Sequence, residues 1–449
     1  MTDTPWAGGL PRRAILYEAH TLTSKAGTGI ATYARTLAEV ARRLGYYADG
    51  LFGVHRGLDP QKGRMNEVLA FDAVPDDEWV SAFEVAWRYV RFPFNALGGV
   101  RPVEVQSSGL VISPMAEALR PYRRLFASTR LFDVARAHFT IYGSPVQLKL
   151  ADRPDIFHAT HAVPLAVKGC PNIYTIHDLV PLRLPHTTLD DKKYVYRLLT
   201  RLARTADHIV TVSEYSRQDI IRELGVEPKR VTNTYQAVDV PAAVLQRSED
   251  EVAASLRALF GLEFREYFLF CGAIEPKKNV SRLVDAYAAS GTKRPLVLAG
   301  GGGWQNRGDL RKVRDERFMN FRIEGNVVRR ERQIRRLEYL PRDQLMTLIR
   351  GARAMLFPSI YEGFGLPVVE AMALGTPVIT SNISSLPEVA GDAALLVDPY
   401  SVDEMAQAIR SVDCDFDLRQ ELAVRGYKQA EKFSATAYEA RIGSVYESL

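Results

Sequence analysis

Predicted strands and helices alternate along most of this chain, and that alternation restricts the fold more than any other feature of the sequence. Short apolar runs typical of buried strands are followed by segments whose apolar residues have helical spacing. Strands are predicted at 13–18, 155–160, 172–178, 207–213, 230–235, 267–272, 295–300, 334–340, 352–358, 377–380 and 394–397. Such alternation is typical of a doubly wound parallel sheet with helices on both faces. The predicted fold class is therefore α/β.

The chain has 449 residues, which is too long for one ordinary core. Two domains of about 200 residues each are therefore expected. The stretch from Pro241 to about Glu251 is polar and interrupted, so we place a linker there. We predict an N-terminal domain at 1–240, a linker at 241–261 and a C-terminal domain at 262–432. A last helix at 433–449 can cross back to the first domain.

The composition predicts a globular protein without a membrane-spanning helix. Hydrophobic residues make up 47% of the chain, and no apolar run reaches the roughly 18 residues that a transmembrane helix needs. The first fifteen residues contain no apolar segment typical of a secretory signal. Cys170, Cys271 and Cys414 are far apart, which argues against a zinc site and for a reducing compartment. A cytoplasmic location is therefore expected.

The formal net charge of +5 favours phosphate-bearing or membrane-surface partners only mildly, and it does not indicate binding to nucleic acid. Two segments are rich in arginine. Residues 120–136 mix arginine with aromatic and aliphatic residues at roughly helical spacing, and 307–336 hold ten Arg and one Lys against five acidic residues. The ordinary interpretations are a packed basic helix and a solvated insertion. The alternative is peripheral contact with the cytosolic face of the inner membrane, or with an anionic acceptor.

A predicted strand, a glycine-containing loop and the start of a helix follow one another in 352–375. Pro367 suits the first turn of that helix. The backbone N–H groups of 363–366 would then lie at its positive end, where they suit a phosphate or diphosphate. Glu362 in the loop and Glu370 about one turn into the helix can border one crevice and bind hydroxyl groups of a ribose or sugar.

Each of these two carboxylates also has an ordinary explanation. Glu362 alone is a loop charge, and Glu370 alone is a charge stabilised by the helix dipole, worth about 0.3–1 kcal/mol. Both lie beside a glycine pair, and this combination favours the binding interpretation.

Three further loops carry candidate residues at the ends of predicted strands. Gly27 and Gly29 allow a close approach of phosphate or sugar, but the third glycine of a dinucleotide fingerprint and a Walker A lysine are absent. His177 can bind a sugar hydroxyl or form a structural pair with the aspartate that follows it. Lys277 and Lys278 can neutralise a diphosphate, although surface lysines are common.

Asp413 and Asp415 superficially fit an Asp-x-Asp metal site. They lie between two predicted helices and away from strand ends, so a structural or solvated role is favoured. No metal and no other cofactor is predicted.

The loops around Gly29, His177 and Lys278, together with the motif from Glu362 to Glu370, resemble in this order the retaining glycosyltransferases of family 4. The resemblance covers nearly the whole chain and is weakest in 58–150. Its most specific part is Glu-Gly-Phe-Gly-Leu-Pro-Val-Val-Glu, whereas the N-terminal loop is not specific. The resemblance implies the GT-B fold, in which two Rossmann-like domains face a deep cleft.

By position in these motifs, the resemblance also implies roles for individual residues. Glu370 would bind the nucleotide ribose, while His177 and Glu362 would be the catalytic residues at the transferred sugar. Lys278 would match the family's phosphate-binding lysine. The remaining donor contacts would come from Gly29, Lys277, Gly363, Phe364, Gly365 and Leu366.

Two positions depart from the family pattern. Ala273 stands where the family often has arginine, so Lys277 would share the phosphate role, and Gln236-Ala237 stand where Asn-Gly is usual. The form Glu-Pro-Lys-Lys-Asn is similar to that of bacterial mannosyltransferases that build lipopolysaccharide or exopolysaccharide chains. GDP-mannose is therefore the favoured donor, and a glycan or lipid-linked glycan is the expected acceptor.

Two other classes of function stay open because fold alone does not determine chemistry. One is a sugar-nucleotide epimerase or a phosphorylase on the same fold. The other is a non-catalytic scaffold in a polysaccharide assembly complex, for which Glu362 and Glu370 would be dispensable.

Overall fold

The computed structural model describes residues 13–20, 29–55, 57–59, 63–71, 90–106, 108, 111, 119–301, 303, 311–313, 318–324, 327–338 and 340–449. Two separate parallel sheets lie within these residues, and each is the centre of one domain. The predicted α/β class with two Rossmann-like domains is therefore confirmed.

The first domain is built on an eight-stranded sheet. The strands of this domain are β1 (Ala14–Glu18), β2 (Tyr47–Val54), β3 (Val103–Val105), β4 (Arg124–Thr129), β5 (Val146–Leu148), β6 (Ile156–Ala159), β7 (Leu165–Val167), β8 (Asn172–Thr175), β9 (His208–Thr211) and β10 (Val231–Asn233). The order in the large sheet is β10-β9-β8-β6-β1-β2-β4-β3, in which only β3 runs antiparallel to its neighbour. β5 and β7 form a separate parallel pair.

Helices cover both faces of this sheet, and its central strands are correspondingly apolar along their whole length. The helices of the first domain are α1 (Gly29–Arg43), α2 (Gly63–Ala70), α3 (Leu131–Tyr142), α4 (Val180–Arg183), α5 (Lys192–Thr205) and α6 (Glu214–Leu224). Tyr33 and Leu37 of α1 belong to the buried core on one face, and Leu198 and Leu202 of α5 belong to the core on the other.

The second domain has a six-stranded sheet in which all neighbouring strands are parallel. The strands of this domain are β11 (Phe268–Cys271), β12 (Leu296–Ala299), β13 (Met319–Glu324), β14 (Val327–Arg332), β15 (Ile334–Leu337), β16 (Ala354–Phe357), β17 (Val378–Ser381) and β18 (Ala394–Val397). The sheet has the order β15-β12-β11-β16-β17-β18, while β13 and β14 form an antiparallel hairpin outside it.

The helices after β10 continue to the end of the chain. They are α7 (Ala242–Leu245), α8 (Glu249–Phe260), α9 (Val280–Ser290), α10 (Arg342–Gly351), α11 (Leu366–Ala373), α12 (Leu386–Ala390), α13 (Val402–Cys414), α14 (Phe416–Glu431) and α15 (Ala435–Glu447). The segment suggested as a linker thus contains two helices, and Val252 and Leu256 of α8 are fully buried. A capping box between Ser248 and Glu251 starts α8, which explains why this polar stretch is helical.

The last helix, α15, contacts the first domain. The hydroxyl group of Tyr446 lies 2.7 Å from Nδ1 of His158 on β6 and 3.0 Å from the hydroxyl of Tyr17 on β1. Arg43 at the end of α1 also pairs with Glu439 at 2.9 Å. The end of the chain therefore binds the first domain to the second.

The interpretation of 120–136 as one basic helix is wrong, because the segment contains strand β4 and the start of α3. Arg123 and Arg124 both bind the buried carboxylate of Asp49 on β2, at 2.9 and 2.8 Å. The apolar residues on which the helical spacing rested, such as Leu125 and Phe126, are buried strand residues. Part of 307–336 lies outside the described residues, and the rest includes the β13–β14 hairpin and β15.

Among the described residues, none of the helices has both the length and the apolar character needed to cross a membrane.

Candidate active site

The loops at the carboxyl ends of the two sheets meet between His177, which follows β8, and Gly363, which follows β16. A Cβ atom added to Gly363 would lie 2.6 Å from the carbonyl oxygen of His177. The hydroxyl of Ser216 on α6 donates to the carbonyl oxygens of both residues, at 3.0 and 3.3 Å. Parallel sheets bind ligands at this edge, so the contact identifies the candidate site.

A second set of contacts holds the domains together beside this point. The carboxylate of Glu388 on α12 accepts from the backbone N–H groups of Glu214 and Tyr215, at 2.7 and 3.1 Å. It therefore caps the first turn of α6, where a negative charge is stabilising. The hydroxyl of Tyr361 donates to Asp219 across the same boundary at 2.6 Å.

Lys278 and Glu362 form an ion pair, with 2.6 Å between Nζ and Oε1. The two side chains are 14% and 9% exposed, and the Lys278 ammonium also lies 4.9 Å from the centre of the Phe357 ring. Burial alone would raise the pKa of Glu362, but Lys278 and Lys277 together lower it. Glu362 is therefore held as a carboxylate although it is buried.

The backbone around Glu362 is fixed by two serines on the loop after β17. The Ser384 hydroxyl donates to the Glu362 carbonyl at 2.8 Å and accepts from the Glu362 N–H at 3.0 Å. Ser385 donates to the carbonyls of Glu362 and Phe364, at 3.0 and 2.9 Å. Gly365 then starts α11 at a φ of 107°, a left-handed conformation that favours glycine. These contacts position the first N–H groups of α11 towards the loop.

The loop between β11 and α9 is shaped by Asn279, which has a left-handed φ of 60°. Its side-chain amide donates to the carbonyls of Pro358 and Pro399, at 3.2 and 2.7 Å. The carbonyl of Lys277 accepts from the N–H of Ile360 at 2.8 Å. Burial would lower the pKa of Lys277, but nearby carboxylates, Glu362 first among them, raise it. Lys277 therefore carries its charge beside the loop that holds Glu362.

Glu370 lies on the buried face of α11 and is 5% exposed. It pairs with Arg342 at the start of α10, with 3.7 Å between Nη2 and Oε1. Arg342 also donates to the carbonyl of Asp239. Burial raises the pKa of Glu370 to about 7, and Arg342 lowers it only in part.

This pKa predicts how stability depends on pH. A carboxyl group whose pKa rises from 4.5 to about 7 on folding contributes stability below pH 4.5 that is lost as the pH rises through 7. Between pH 5 and 8 we expect the wild type to lose about 2.5 kcal/mol of unfolding free energy relative to Glu370→Gln, because the slope of 1.36 kcal/mol per pH unit applies only up to the pKa of about 7. Urea unfolding at both pH values measures this difference. The exposed Glu447→Gln is the control, and parallel curves for wild type and Glu370→Gln would contradict the prediction.

His177 is partly buried, and its Nε2 lies 2.9 Å from the carbonyl oxygen of Thr160. Because a carbonyl only accepts, Nε2 carries a proton. Burial lowers the pKa of His177, so the ring is neutral and its Nδ1 can accept a hydrogen bond. The ring of Tyr33 packs edge-on against the imidazole ring of His177, with 4.8 Å between the two ring centres.

The structure brings most of the candidate residues together, whereas Glu370 pairs with Arg342 on the buried face of α11 and Gly29 has few neighbours. His177, Lys277, Lys278, Glu362 and the loop 363–366 lie together at the domain boundary through the contacts above. Gly29 is the first residue of α1, and a Cβ there would meet nothing within 4 Å. Gly27 lies outside the described residues.

Asp413 and Asp415 are structural. Asp413 binds Arg294 and Arg353, at 2.7 and 2.9 Å, and Asp415 accepts from the N–H of Leu418 as the cap of α14. No cluster of three or more potential metal ligands occurs among the residues that the structure describes.

Several residues that shape this site were not predicted from the sequence, namely Ser216, Arg342, Ser384 and Ser385. The three serines act by donating hydrogen bonds to backbone carbonyl groups, and no sequence pattern indicates such bonds. Arg342 begins α10 shortly after β15, but its contact with Glu370 joins two helices, and no sequence pattern indicates such a contact.

Two family descriptions match this chain. "Glycosyltransferase Family 4" matches residues 102–241, and "Glycosyl transferases group 1" matches residues 260–429.

Three similar proteins are mannosyltransferases by name. The O-antigen chain mannosyltransferase B of Escherichia coli is 35% identical over 267 residues, which cover 58% of this chain and 66% of that protein. The serotype-specific mannosyltransferase WbdA of Escherichia coli is 31% identical over 58% of this chain, but the match spans only 31% of its length. The MMP alpha-(1->4)-mannosyltransferase of Mycolicibacterium hassiacum is 26% identical, covering 97% of this chain and 98% of that protein.

Solved structures of similar fold cover nearly the whole chain. Anabaena HepE in complex with UDP and glucose has a TM-score of 0.62 at 15% identity, covering 98% of this chain and 100% of that chain. The sucrose-phosphate synthase of Thermosynechococcus elongatus has a TM-score of 0.62 at 17% identity, covering 97% and 99%. At such identities the likeness shows the fold alone, and the predicted GT-B architecture is confirmed.

Proposed function

Because this chain belongs to the glycosyltransferases, with a family 4 domain followed by a group 1 domain, we propose that it transfers a hexosyl group to a hydroxyl of a glycan or lipid-linked glycan. We favour mannose from GDP-mannose, in the synthesis of a cell-surface polysaccharide. The names of the similar mannosyltransferases support this choice. The observation that carries the proposal is the Lys278–Glu362 ion pair, which lies at the start of α11 beside the domain boundary.

The proposed donor site uses the two charges of this pair for different parts of the nucleotide sugar. Lys278 and Lys277 would bind the diphosphate, together with the N–H groups at the start of α11, since cations and helix N-termini stabilise phosphate. Glu362 and the unprotonated Nδ1 of His177 would accept hydrogen bonds from sugar hydroxyls. Glu370 would bind the ribose.

In the proposed reaction, the bond between C1 of the sugar and the phosphate oxygen breaks, and its electron pair stays on the phosphate. The acceptor hydroxyl oxygen forms the new bond to C1, and its proton passes to the departing phosphate oxygen on the same face of the sugar. This path retains the anomeric configuration and needs no protein base. The protein stabilises the charge that develops on the diphosphate, through Lys277, Lys278 and the start of α11.

The contact between Gly363 and His177 supports a reaction in a closed cleft. Domain closure at this point would exclude water and so limit hydrolysis of the donor. We also propose a cytoplasmic location with peripheral contact at the inner membrane, which the arginine-rich 307–336 segment supports.

The first test is thermal unfolding of the purified protein with GDP, UDP, ADP and their sugars, repeated with Glu370→Ala. We expect stabilisation by GDP and GDP-mannose that the variant loses, since a ligand at 100 times its Kd stabilises by about 2.7 kcal/mol. The exposed Glu447→Ala should behave as wild type. Stabilisation by UDP or ADP sugars alone would overturn the mannose donor, and no stabilisation by any nucleotide would favour a non-catalytic scaffold. Conversion of the sugar nucleotide without an acceptor would favour an epimerase.

A further inference from the structure

A buried carboxylate at the carboxyl end of β1 pairs with a histidine that the proposed chemistry does not use. Glu18 has no solvent exposure, and its Oε2 lies 2.8 Å from Nδ1 of His161, just after β6. The Thr160 hydroxyl donates to the same oxygen at 2.8 Å, and the N–H of His20 donates to the other oxygen at 2.5 Å. The carboxylate is therefore held by three partners from two adjacent strands.

The two groups favour their charged forms in this arrangement. Burial would raise the pKa of Glu18, but His161 and Thr160 lower it overall. Burial would lower the pKa of His161, but Glu18 raises it. A protonated imidazole donates from both nitrogens and accepts from neither. In its protonated form His161 has a second N–H, at Nε2, besides the one at Nδ1 that lies beside Glu18.

The exposed part of the His161 side chain lies away from Nδ1. The His161 side chain is 25% exposed, in contrast to its fully buried partner. Nδ1 is the buried nitrogen of this ring, and within the described part of the chain its contact with Glu18 is an ion pair and not an aligned hydrogen bond. A buried charge that orients an exposed N–H is an arrangement suited to binding an oxygen atom of a ligand.

Thr160 connects this pair to the site at the domain boundary. Its hydroxyl donates to Glu18, while its carbonyl oxygen accepts from Nε2 of His177 at 2.9 Å. His177 in turn contacts Gly363 of the second domain through its own carbonyl. His161 therefore lies beside the proposed sugar site, on the side of the first domain.

We propose that Glu18 and His161 form a subsite for the acceptor, in which the Nε2–H of His161 binds a hydroxyl oxygen of the acceptor sugar and Glu18 is a positioning residue. This inference rests on the proposed transfer reaction. The bound oxygen is a neighbour of the nucleophile, because a hydrogen bond donated to the attacking lone pair would oppose the attack. His161 keeps its proton throughout, and the proton of the nucleophile follows the path to the phosphate.

The test compares His161→Ala, His161→Gln and Glu18→Gln with the wild type, using GDP-mannose as donor and α-linked mannobiose as acceptor probe. The acceptor KM should rise at least about tenfold in His161→Ala, the loss expected for one hydrogen bond from a charged donor. Glu18→Gln should raise it in the same direction, and His161→Gln should restore most of the loss because its amide also donates. The thermal stabilisation of the protein by GDP should stay at its wild-type value. The slow rate at which GDP-mannose is broken down to GDP when no acceptor is present should also stay unchanged.

The exposed His186→Ala is the matched control and should leave all three measurements unchanged. An unchanged acceptor KM in His161→Ala would overturn the subsite. Loss of GDP stabilisation in that variant would also overturn it, since the histidine would then have a merely structural role. Failure of the wild type itself to bind GDP or to transfer mannose would instead overturn the proposed function, and this inference with it.

Discussion

Lys278→Ala is expected to lower kcat by about a thousandfold, because it removes a cation from the diphosphate as the sugar departs. At 1.36 kcal/mol per factor of ten, this corresponds to about 4 kcal/mol of lost transition-state stabilisation. The donor KM should change less than kcat, since the charge on the leaving oxygen develops only during the reaction. Steady-state kinetics with GDP-mannose measures both quantities.

The buried ion pair makes a second effect of this substitution predictable. Without Lys278, the Glu362 carboxylate, which is 9% exposed, keeps Lys277 as a neighbouring charge but loses its partner at 2.6 Å. Removal of one partner of such a pair is strongly destabilising. Thermal unfolding must therefore accompany the kinetics, which are run below the unfolding temperature of the variant. The exposed Lys293→Ala is the matched control, and a loss of kcat below tenfold in folded Lys278→Ala would place the phosphate stabilisation on other groups.

The contact between Lys278 and Glu362 shows which parts of a site the sequence alone can predict. The two residues are 84 positions apart, but each follows a predicted strand of a parallel sheet. β11 and β16 are neighbours in that sheet, so the loops after them lie at one edge. Residue types and the edge of the sheet were predictable from the chain, whereas the neighbouring order of β11 and β16 required the fold.

The segment 120–136 shows why periodicity failed elsewhere. Its arginines and apolar residues fit a helical spacing, but Arg123 and Arg124 both pair with Asp49, more than seventy residues earlier in the chain. A strand flanked by charges is unfavourable unless a distant residue pairs with them. Local sequence does not contain that partner, and for the same reason it did not predict Arg342 beside Glu370.

The other large effect expected is that of Gly363→Ala, which tests whether the two domains must meet at His177. The new Cβ would lie 2.6 Å from a backbone carbonyl oxygen and 3.1 Å from its carbon, and a backbone cannot move aside by changing a rotamer. The loop or the domains must therefore separate by several tenths of an ångström or more.

We expect Gly363→Ala to lower kcat by about a hundredfold, the loss that a displacement near 1 Å causes at a reacting centre. Stabilisation by GDP should persist, because Lys278 and Glu370 belong to the second domain and do not depend on this contact. Gly301→Ala is the control, since a Cβ at Gly301 would meet nothing within 4 Å.

Wild-type kcat in Gly363→Ala would mean that the contact between His177 and Gly363 is not needed in the reactive state. Loss of GDP stabilisation together with kcat would instead mean that the substitution disorders the Glu362 loop, so the two measurements separate closure of the cleft from integrity of the donor site.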